Sequence, residues 1–181
     1  MPDFAPYDPE ARGSGAPIRA VIRPATRDDL DGLATIQLAV VTRTRDDWAT
    51  VVDKSLGEDR LLLVAEADGQ IAAFAQSHFL EEHPTDRGSA GFYLTGVTVV
   101  PAYRRSGLGR EMTVARLDWI HDRADEAWYF ASVDNNASIR LHQEFGFAEV
   151  RRAPVLHGVT FDSGEGALFR SDLDALSSRR A

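Results

Sequence analysis

The fold is decided by residues 97–110, which read VTVVPAYRRSGLGR. An apolar strand stops at Pro101, a short loop follows, and a helix begins near Leu108. The first amides of a helix have no partner inside the helix, and the helix dipole adds partial positive charge there. Gly107 and Gly109 lack a Cβ atom, so an anion can come close to the backbone. The stretch therefore predicts a phosphate-binding turn, whose charge is balanced by Arg104, Arg105 and Arg110.

Two widespread phosphate motifs do not fit these residues. No Lys-Ser or Lys-Thr pair follows the second glycine, which excludes a Walker loop, and the spacing is not the GxGxxG of a dinucleotide-binding fold. The pattern is also compatible with a plain strand-to-helix turn, in which the glycines serve the backbone geometry and the arginines are solvated.

Hydrophobic periodicity predicts a single domain over residues 18–175 with a mixed α/β (α+β) fold. The predicted order is a strand, two helices, three strands, a helix, a strand, a helix and two strands. The strands are placed at 18–23, 60–66, 70–78, 91–100, 128–133, 147–152 and 166–170. Residues 1–17 are rich in proline, glycine and charge, which predicts a disordered N-terminal tail, and the last five residues are expected to fray.

Local signals place the predicted helices and one hairpin. Thr26 and Asp29 form a capping box that opens the first helix, and Gly57 ends the second. Apolar residues at helical spacing extend the first helix from Leu30 to Val40. Asp68-Gly69 predicts a two-residue hairpin turn. The second helix is expected to bury Trp48, Val51, Val52 and Leu56, and the third Leu108, Met112, Ala115 and Trp119. The last helix is placed at 135–145.

The composition excludes several classes of protein. The 181 residues include 28 acidic and 20 basic side chains, and the resulting charge of −8 disfavours nucleic acid and anionic membranes. Without cysteine there is no disulfide or thiolate metal site, and the five histidines lack metal-ligand spacing. No stretch approaches the roughly 20 apolar residues of a membrane helix, and the N-terminus lacks the apolar core of a signal peptide. We therefore expect a cytoplasmic protein with no metal, no nucleic acid and no membrane partner.

Two segments resemble motifs of the GNAT (Gcn5-related N-acetyltransferase) superfamily. The run RRSGLG after VTVVP is similar to its acetyl-CoA signature Q/R-x-x-G-x-G/A, with Arg104, Gly107 and Gly109 at the fixed positions. Residues 133–147, VDNNASIRLHQEFGF, resemble the exit of the family's fifth strand, its asparagine-led helix and its closing Gly-Phe. The predicted element order agrees over residues 18–170. The resemblance implies a central mixed, mostly antiparallel sheet of about seven strands, flanked by four helices and splayed between strands 4 and 5.

The resemblance also implies where acetyl-CoA, the expected cosubstrate, would bind. The backbone of Val97, Thr98 and Val99 on the fourth strand would bond the pantetheine arm and the thioester. The turn would hold the pyrophosphate through Arg104, Arg105, Ser106, Gly107, Leu108, Gly109 and Arg110. Asn135 stands where the family often has an asparagine that contacts the cofactor arm. Its alternative role is to cap the following helix, and one residue can do both.

His142 is the candidate catalytic residue. In many relatives a tyrosine on the last helix, seven residues after the asparagine, protonates the leaving thiolate, and His142 stands at that position here. A histidine with its ordinary pKa of about 6.5 is mostly neutral at physiological pH, although it can still donate a hydrogen bond. The alternative is a histidine that only packs, since a thiolate can leave without an acid.

The general base is not specified by the sequence. Relatives often use a carboxylate of the fourth strand, acting through water, but residues 91–100 contain none. The candidate bases lie outside this strand, and the alternative for each of them is an ordinary solvated side chain with no role in catalysis. They are Glu66, His78, Glu81, Glu82, His83 and Asp134. The amine could also lose its proton to bulk water.

The resemblance implies acetyl transfer to a primary amine of a small molecule, protein or peptide. Attack is expected to be direct, because the chain has no cysteine and no serine in a nucleophile-elbow pattern. Two alternatives stay open: a non-catalytic acyl-CoA-binding or sensing module, and an acyltransferase that uses a longer acyl-CoA. The acceptor site is expected to be shaped by residues 42–58, 80–90 and 153–165. Dimers are common in the family, so a homodimer is also open.

Overall fold

The computed structural model describes residues 18–36 and 43–180. Within them it has five α-helices: α1 (Leu30–Thr35), α2 (Arg45–Lys54), α3 (Leu108–His121), α4 (Asn136–Gln143) and α5 (Leu173–Arg180). Two 3-10 helices, Arg27–Asp29 and Pro101–Tyr103, come before α1 and α3. None of the helices described in these ranges is long and apolar enough to cross a membrane.

Seven strands form one mixed sheet in the order β1-β2-β3-β4-β5-β9-β6. They are β1 (Val21–Pro24), β2 (Arg60–Ala67), β3 (Gln70–Leu80), β4 (Gly91–Val99), β5 (Glu126–Ser132), β6 (Ala148–Ala153) and β9 (Gly166–Asp172). The pairs β1–β2, β5–β9 and β6–β9 are antiparallel, whereas β4 and β5 run parallel and pair at Tyr93 and Trp128. The expected seven-stranded mixed sheet is confirmed, and the parallel step from β4 to β5 matches the expected splay.

The described chain divides into two compact units. The N-terminal unit contains residues 18–36, 43–77 and 96–116, and the C-terminal unit contains residues 78–95 and 117–180. The phosphate-binding turn therefore belongs to the N-terminal unit. Asn135 and His142 belong to the C-terminal unit.

The core of the N-terminal unit forms where α1 and α2 pack on β2 and β3. Trp48 is 1% exposed and meets Phe74 edge to face, with ring centroids 4.9 Å apart. The other buried members of this cluster are Ala25, Leu30, Leu33, Ile36, Val52, Leu62 and Val64. The Asp68-Gly69 turn is also as expected, because both residues have positive φ, at 52° and 72°.

The core of the C-terminal unit is rich in aromatic rings. Tyr93 is fully buried and stacks on Trp128, with centroids 6.1 Å apart. The other buried members of this cluster are Phe130, Leu156, Val159 and Leu168. Leu156 and Val159 lie on a separate two-stranded hairpin, β7 (Val155–Leu156) and β8 (Val159–Thr160). This hairpin was not predicted, because strands of two residues are too short to show a periodic pattern.

Several predicted boundaries were wrong. The first strand begins at Val21, not at residue 18, and includes Pro24. α1 ends at Thr35, while the predicted continuation to Val40 lies outside the described residues. Leu56 follows the end of α2 and is 76% exposed, so it is not a core residue. At the other end of the chain, α5 (Leu173–Arg180) follows the last strand, where no helix was predicted.

The buried face of α3 also differs from the prediction. Leu108 and Met112 are buried as expected, but Ala115 and Trp119 are only half-buried. The buried face is completed by Thr113, Arg116, Leu117 and Ile120. An arginine therefore occupies a core position of this helix, which a rule that places charge at the surface does not anticipate.

Candidate active site

The turn before α3 is shaped by two residues with positive φ. β4 ends at Val99, a 3-10 turn follows, and the chain then reverses through Arg105 and Gly107, whose φ values are 61° and 94°. Ser106 is buried, and its Oγ donates to the carbonyl of Tyr103 at 2.6 Å. The backbone path is thus fixed by local contacts.

The first amides of α3 are the backbone groups that the predicted phosphate site would use. The helical hydrogen bonds begin with the amides of Arg110 and Glu111, which both donate to the carbonyl of Gly107, at 2.9 and 3.1 Å. The amides of Leu108 and Gly109 precede those bonds in the first turn. Gly107 is exposed, and among the described residues beyond its two chain neighbours the nearest side-chain atom to the place a Cβ would take is a Glu111 carboxylate oxygen, at 3.9 Å. An anion can therefore reach the backbone at this turn.

The three arginines of the turn differ in their exposure to solvent. Arg105 and Arg110 are exposed. Arg104 is half-buried, and its Nε donates to the carbonyl of Val99 at 3.3 Å. Glu111, also exposed, places one carboxylate in the first turn of α3. The turn therefore carries three cations against one carboxylate, which favours an anionic ligand.

The last residues of β4 are half-buried, in contrast to its middle. Val97, Thr98 and Val99 each retain part of their surface, whereas Phe92, Tyr93 and Leu94 are buried. Half-buried strand backbone can bond an extended ligand, as the resemblance implies for the pantetheine arm. The carbonyl of Val99, however, already accepts a hydrogen bond from Arg104.

Asn135 caps α4. Its side-chain oxygen accepts a hydrogen bond from the amide of Ser138 at 3.1 Å. The capping role that the sequence left open is therefore confirmed. A contact to the cofactor arm stays a prediction.

His142 is buried in the C-terminal unit, with 4% of its surface exposed. Its ring stacks on Tyr129, with centroids 4.1 Å apart, and meets Phe147 edge to face at 5.5 Å. Burial raises the pKa of the Tyr129 phenol above its usual value, and in the described residues its hydroxyl has no hydrogen-bond partner. The packing role considered for His142 is thus real, and its catalytic role stays a prediction.

The tautomer of His142 follows from one hydrogen bond. Nδ1 lies 2.8 Å from the carbonyl oxygen of Ser138, which can only accept, so Nδ1 carries the proton. In the neutral ring Nε2 is then an acceptor. His142 can therefore give up a proton from Nε2 only as an imidazolium.

Four of the candidate bases are carboxylates at or near the surface. Glu66 forms an ion pair with Arg23 at 3.0 Å, and Glu82 forms one with Arg87 at 2.9 Å. Glu81 and Asp134 are exposed, as a solvated surface charge would be. These surroundings single out none of the four as a base.

His83 belongs to a cluster that joins the loop before β4 to the β7–β8 hairpin. Its Nδ1 lies 3.1 Å from Asp86, whose other contacts include the amide of Gly158 at 2.8 Å. His157 places Nε2 2.9 Å from the hydroxyl of Tyr93. Two of the segments expected to shape the acceptor site, 80–90 and 153–165, are therefore in contact within the C-terminal unit.

An ion-pair network lines a cavity of about 740 Å³ in the N-terminal unit. Arg23 donates to both carboxylate oxygens of Asp29 at 2.8 Å and to Glu66 at 3.0 Å. These hydrogen bonds hold the pKa of the Asp29 carboxyl below its ordinary value. Asp29 also completes the capping box with Thr26, so the network serves the start of the first helix. In the described ranges no group of three or more acidic or histidine side chains could hold a metal ion.

A family model described as the acetyltransferase (GNAT) family matches residues 31–147. Among curated proteins, mycothiol acetyltransferase of Nocardiopsis dassonvillei is 33% identical over 60% of this chain and 32% of its own length. Alpha/beta-tubulin-N-acetyltransferase 9 of Drosophila melanogaster is 29% identical over 75% of this chain and 60% of its own. The chain therefore spans about a third of the first relative and less than two thirds of the second.

Solved structures with the same fold include acetyltransferases at low identity. An N-acetyltransferase from Staphylococcus aureus has a TM-score of 0.68 at 21% identity and covers 86% of this chain and 99% of its own. Arabidopsis thaliana NAA60, solved in complex with acetyl-CoA, has a TM-score of 0.65 at 19% identity, with coverage of 86% and 99%. At these identities the likeness establishes the fold.

Proposed function

This chain belongs to the acetyltransferase (GNAT) family, and from that premise we propose that it transfers an acetyl group from acetyl-CoA to a primary amine. The observation that carries the proposal is the turn before α3. It presents the first amides of a fourteen-residue helix beside Arg104, Arg105 and Arg110, directly after the half-buried end of β4. A diphosphate bound there would anchor the cofactor with its arm along residues 97–99.

The proposed reaction is a direct attack. The neutral amine forms a bond to the thioester carbon, the carbonyl oxygen takes up negative charge, and the carbon–sulfur bond then breaks to release coenzyme A. The amine loses one proton and the thiolate gains one, so the step is balanced without a redox partner. With no cysteine in the chain, no cysteinyl acyl-enzyme can form.

His142 is the proposed group beside the leaving thiolate. The proposal rests on its position seven residues after Asn135, and on an Nδ1–H fixed by the carbonyl of Ser138. Because Nδ1 keeps its proton, the ring can exchange a proton with the thiolate only through Nε2. The protonated ring would supply the thiolate with its proton.

The names of the relatives guide the choice of acceptors. They include enzymes named for mycothiol and for tubulin. The acceptor panel should therefore contain both small molecules and peptides. The charge of −8 favours cationic amines, which adds polyamines and aminoglycosides.

A thiol-release screen tests the proposal directly. Because the chain contains no cysteine, a thiol reagent reports only released coenzyme A, without background from the protein. We expect one class of amine to release coenzyme A well above the rate of spontaneous hydrolysis, and Arg104→Glu to suppress the signal. Parallel reactions with longer acyl-CoA donors establish the acyl preference.

Calorimetry with coenzyme A separates the alternatives. Binding without turnover of any amine would identify an acyl-CoA-binding module and contradict the proposed transfer. Absence of binding would contradict the phosphate site itself.

A further inference from the structure

An arginine lies on the buried face of α3. Arg116 is 1% exposed, and Thr113, almost one turn before it, is fully buried. A buried cation costs folding free energy unless hydrogen bonds replace its water shell, and an apolar side chain of similar volume is often at least as stable. Stability alone therefore does not explain an arginine at this position.

The guanidinium of Arg116 is held by backbone carbonyls. Its Nη1 donates to Gly96 at 3.1 Å and to Gln76 at 3.3 Å. Its Nε donates to the carbonyl of Met112 at 3.3 Å, and Nη2 donates to Oγ1 of Thr113 at 3.1 Å. Burial lowers its pKa to about 9, and no carboxylate of the described residues offsets that shift. The group is therefore a cation at neutral pH, balanced by carbonyl and hydroxyl dipoles.

One of these carbonyls belongs to the peptide bond between Gly96 and Val97. Gly96 has φ of 146°, a conformation that favours glycine, and within the described part of the chain no residue beyond its two neighbours lies within 4 Å of where its Cβ would be. The described residues contain no cis peptide, so the carbonyl of Gly96 and the amide of Val97 point in opposite directions in one plane. Because the carbonyl faces the guanidinium, the Val97 amide points away from it.

We propose that Arg116 is a positioning residue for acyl transfer, which fixes the Gly96–Val97 peptide and strengthens its amide as a donor to the thioester oxygen. The inference rests on the proposed function, in which Val97 is the first backbone group along the acyl donor. A cation at the carbonyl end of a peptide polarises the whole amide and makes its N–H a stronger donor. The gain is larger in the transition state, where the oxygen is negative, than in the ground state.

The same network reaches the phosphate-binding turn. Oγ1 of Thr113 accepts from Arg116 and donates to the carbonyl of Gly109 at 2.8 Å. The guanidinium thus connects the peptide after Gly96 to the first turn of α3. Both parts of the proposed donor site in the N-terminal unit share this one buried cation.

The test compares Arg116→Met, which removes the charge at similar volume, with Arg116→Lys, which keeps the charge. Arg123→Met is the matched control, because Arg123 is exposed and its guanidinium lies over the ring of Trp119. The measurements are kcat, the KM for acetyl-CoA, and the infrared stretching frequency of the isotope-labelled thioester carbonyl in bound acetyl-CoA. The carbonyl frequency reports the strength of the donor to its oxygen, which a purely structural role would not change.

In the wild type we expect the bound carbonyl to absorb at lower frequency than in solution. Arg116→Met should lose most of that shift and lower kcat by about tenfold, less than the loss of a whole oxyanion donor, with little change in KM. The kcat and the carbonyl frequency of Arg116→Lys should lie between those of the wild type and Arg116→Met. Arg123→Met should match the wild type in both.

A folded Arg116→Met protein with wild-type kcat and carbonyl frequency would overturn the proposal for Arg116 and leave the proposed function intact. If that variant does not fold, an unchanged carbonyl frequency in Arg116→Gln decides in the same way. A wild type that shifts the carbonyl but acetylates no amine would contradict the proposed function, while loss of that shift in Arg116→Met would still support the positioning role.

Discussion

The imidazole of His142 lies against the phenol ring of Tyr129, with planes inclined by 21°. A third ring, Phe169, stacks on Tyr129 with centroids 4.6 Å apart. His142 therefore takes part in a series of stacked rings as well as holding a proton on Nδ1 by its bond to Ser138. Its packing and its chemistry can be separated only by a variant that keeps an aromatic ring.

Replacing His142 with phenylalanine makes this separation. We expect His142→Phe to fold, to bind acetyl-CoA with unchanged affinity and to lower kcat by about tenfold or more, because the ring stays and the proton donor is lost. His142→Ala should in addition lose about 2–4 kcal/mol of unfolding free energy, through the cavity beside Tyr129. Steady-state kinetics and urea unfolding measure the two effects. Wild-type turnover in His142→Phe would reduce His142 to a packing residue.

Gly107 can be tested against a second glycine with a similar backbone. Its φ is 94°, and that of Gly164, in the loop before β9, is 81°. Alanine at either position should cost about 1–2 kcal/mol of stability, because a Cβ disfavours positive φ. Only Gly107→Ala should also weaken coenzyme A binding, by at least about tenfold, since its methyl group would stand where the phosphate approaches. Equal affinities of the two variants, measured by calorimetry, would contradict the phosphate site.

Arg104→Glu tests the charge of the same turn. The reversed charge should weaken coenzyme A binding by at least about tenfold at low salt, and the gap should narrow in about 1 M salt as screening increases. Arg45→Glu is the control, because Arg45 is an exposed arginine in an ion pair with Asp31. If the loss of coenzyme A affinity in Arg104→Glu does not depend on salt, Arg104 acts by holding the Val99 carbonyl and not by attracting the ligand.

Local signals predicted the parts of this fold that local geometry determines. Asp68-Gly69 adopts the two positive φ values of a tight hairpin turn, and the capping box of Thr26 and Asp29 forms as expected. The strand, turn and helix around Gly107 follow the same logic. Each of these features depends on residues within a few positions of one another.

Features that depend on distant residues could not be read in this way. Arg116 finds its carbonyl partners on β3 and β4, up to forty residues away, so sequence rules assigned arginine to the surface. His157 meets Tyr93 across sixty-four positions, and nothing near either residue indicates the pairing. The positioning candidate Arg116 belongs to this second class, whereas the catalytic candidate His142 was found from its spacing to Asn135.

Asp29 should link stability to pH. Its folded-state pKa is lowered, first by the hydrogen bonds from Arg23. The carboxylate therefore stabilises the fold above the unfolded-state pKa of about 3.9, and that contribution is lost as the pH falls through the lower folded-state value. Asp29→Asn should cost about 1–3 kcal/mol at neutral pH, and less in acid.

Urea unfolding of Asp29→Asn at neutral pH and near pH 3 measures this difference. Asp28→Asn, which changes an exposed neighbour in the same 3-10 helix, should leave the unfolding free energy nearly unchanged at both. If Asp29→Asn lowers the unfolding free energy by the same amount at both pH values, Asp29 acts through its shape and not its charge.

A substitution at Gly88 can disrupt the cluster of His83, Asp86, His157 and Tyr93. A Cβ there would lie 2.5 Å from Nε2 of His157, so alanine must displace the imidazole from the Tyr93 hydroxyl. We expect Gly88→Ala to cost about 1–3 kcal/mol, whereas Gly57→Ala, whose Cβ would lie at an ordinary contact distance of 3.6 Å from the carbonyl of Lys54, should cost less.

The pKa of His157 reports whether this cluster is disrupted. Burial lowers the pKa of His157, so the unfolded chain binds a proton more readily, and stability is lost as the pH falls from about 6.5 toward the folded-state value. In Gly88→Ala the ring should return to water, its pKa measured by NMR should rise toward the ordinary value, and this pH dependence should disappear. Because segments 80–90 and 153–165 meet at His157, the KM for the acceptor should rise while the affinity for acetyl-CoA stays constant. A raised pKa with an unchanged acceptor KM would exclude the cluster from the acceptor site.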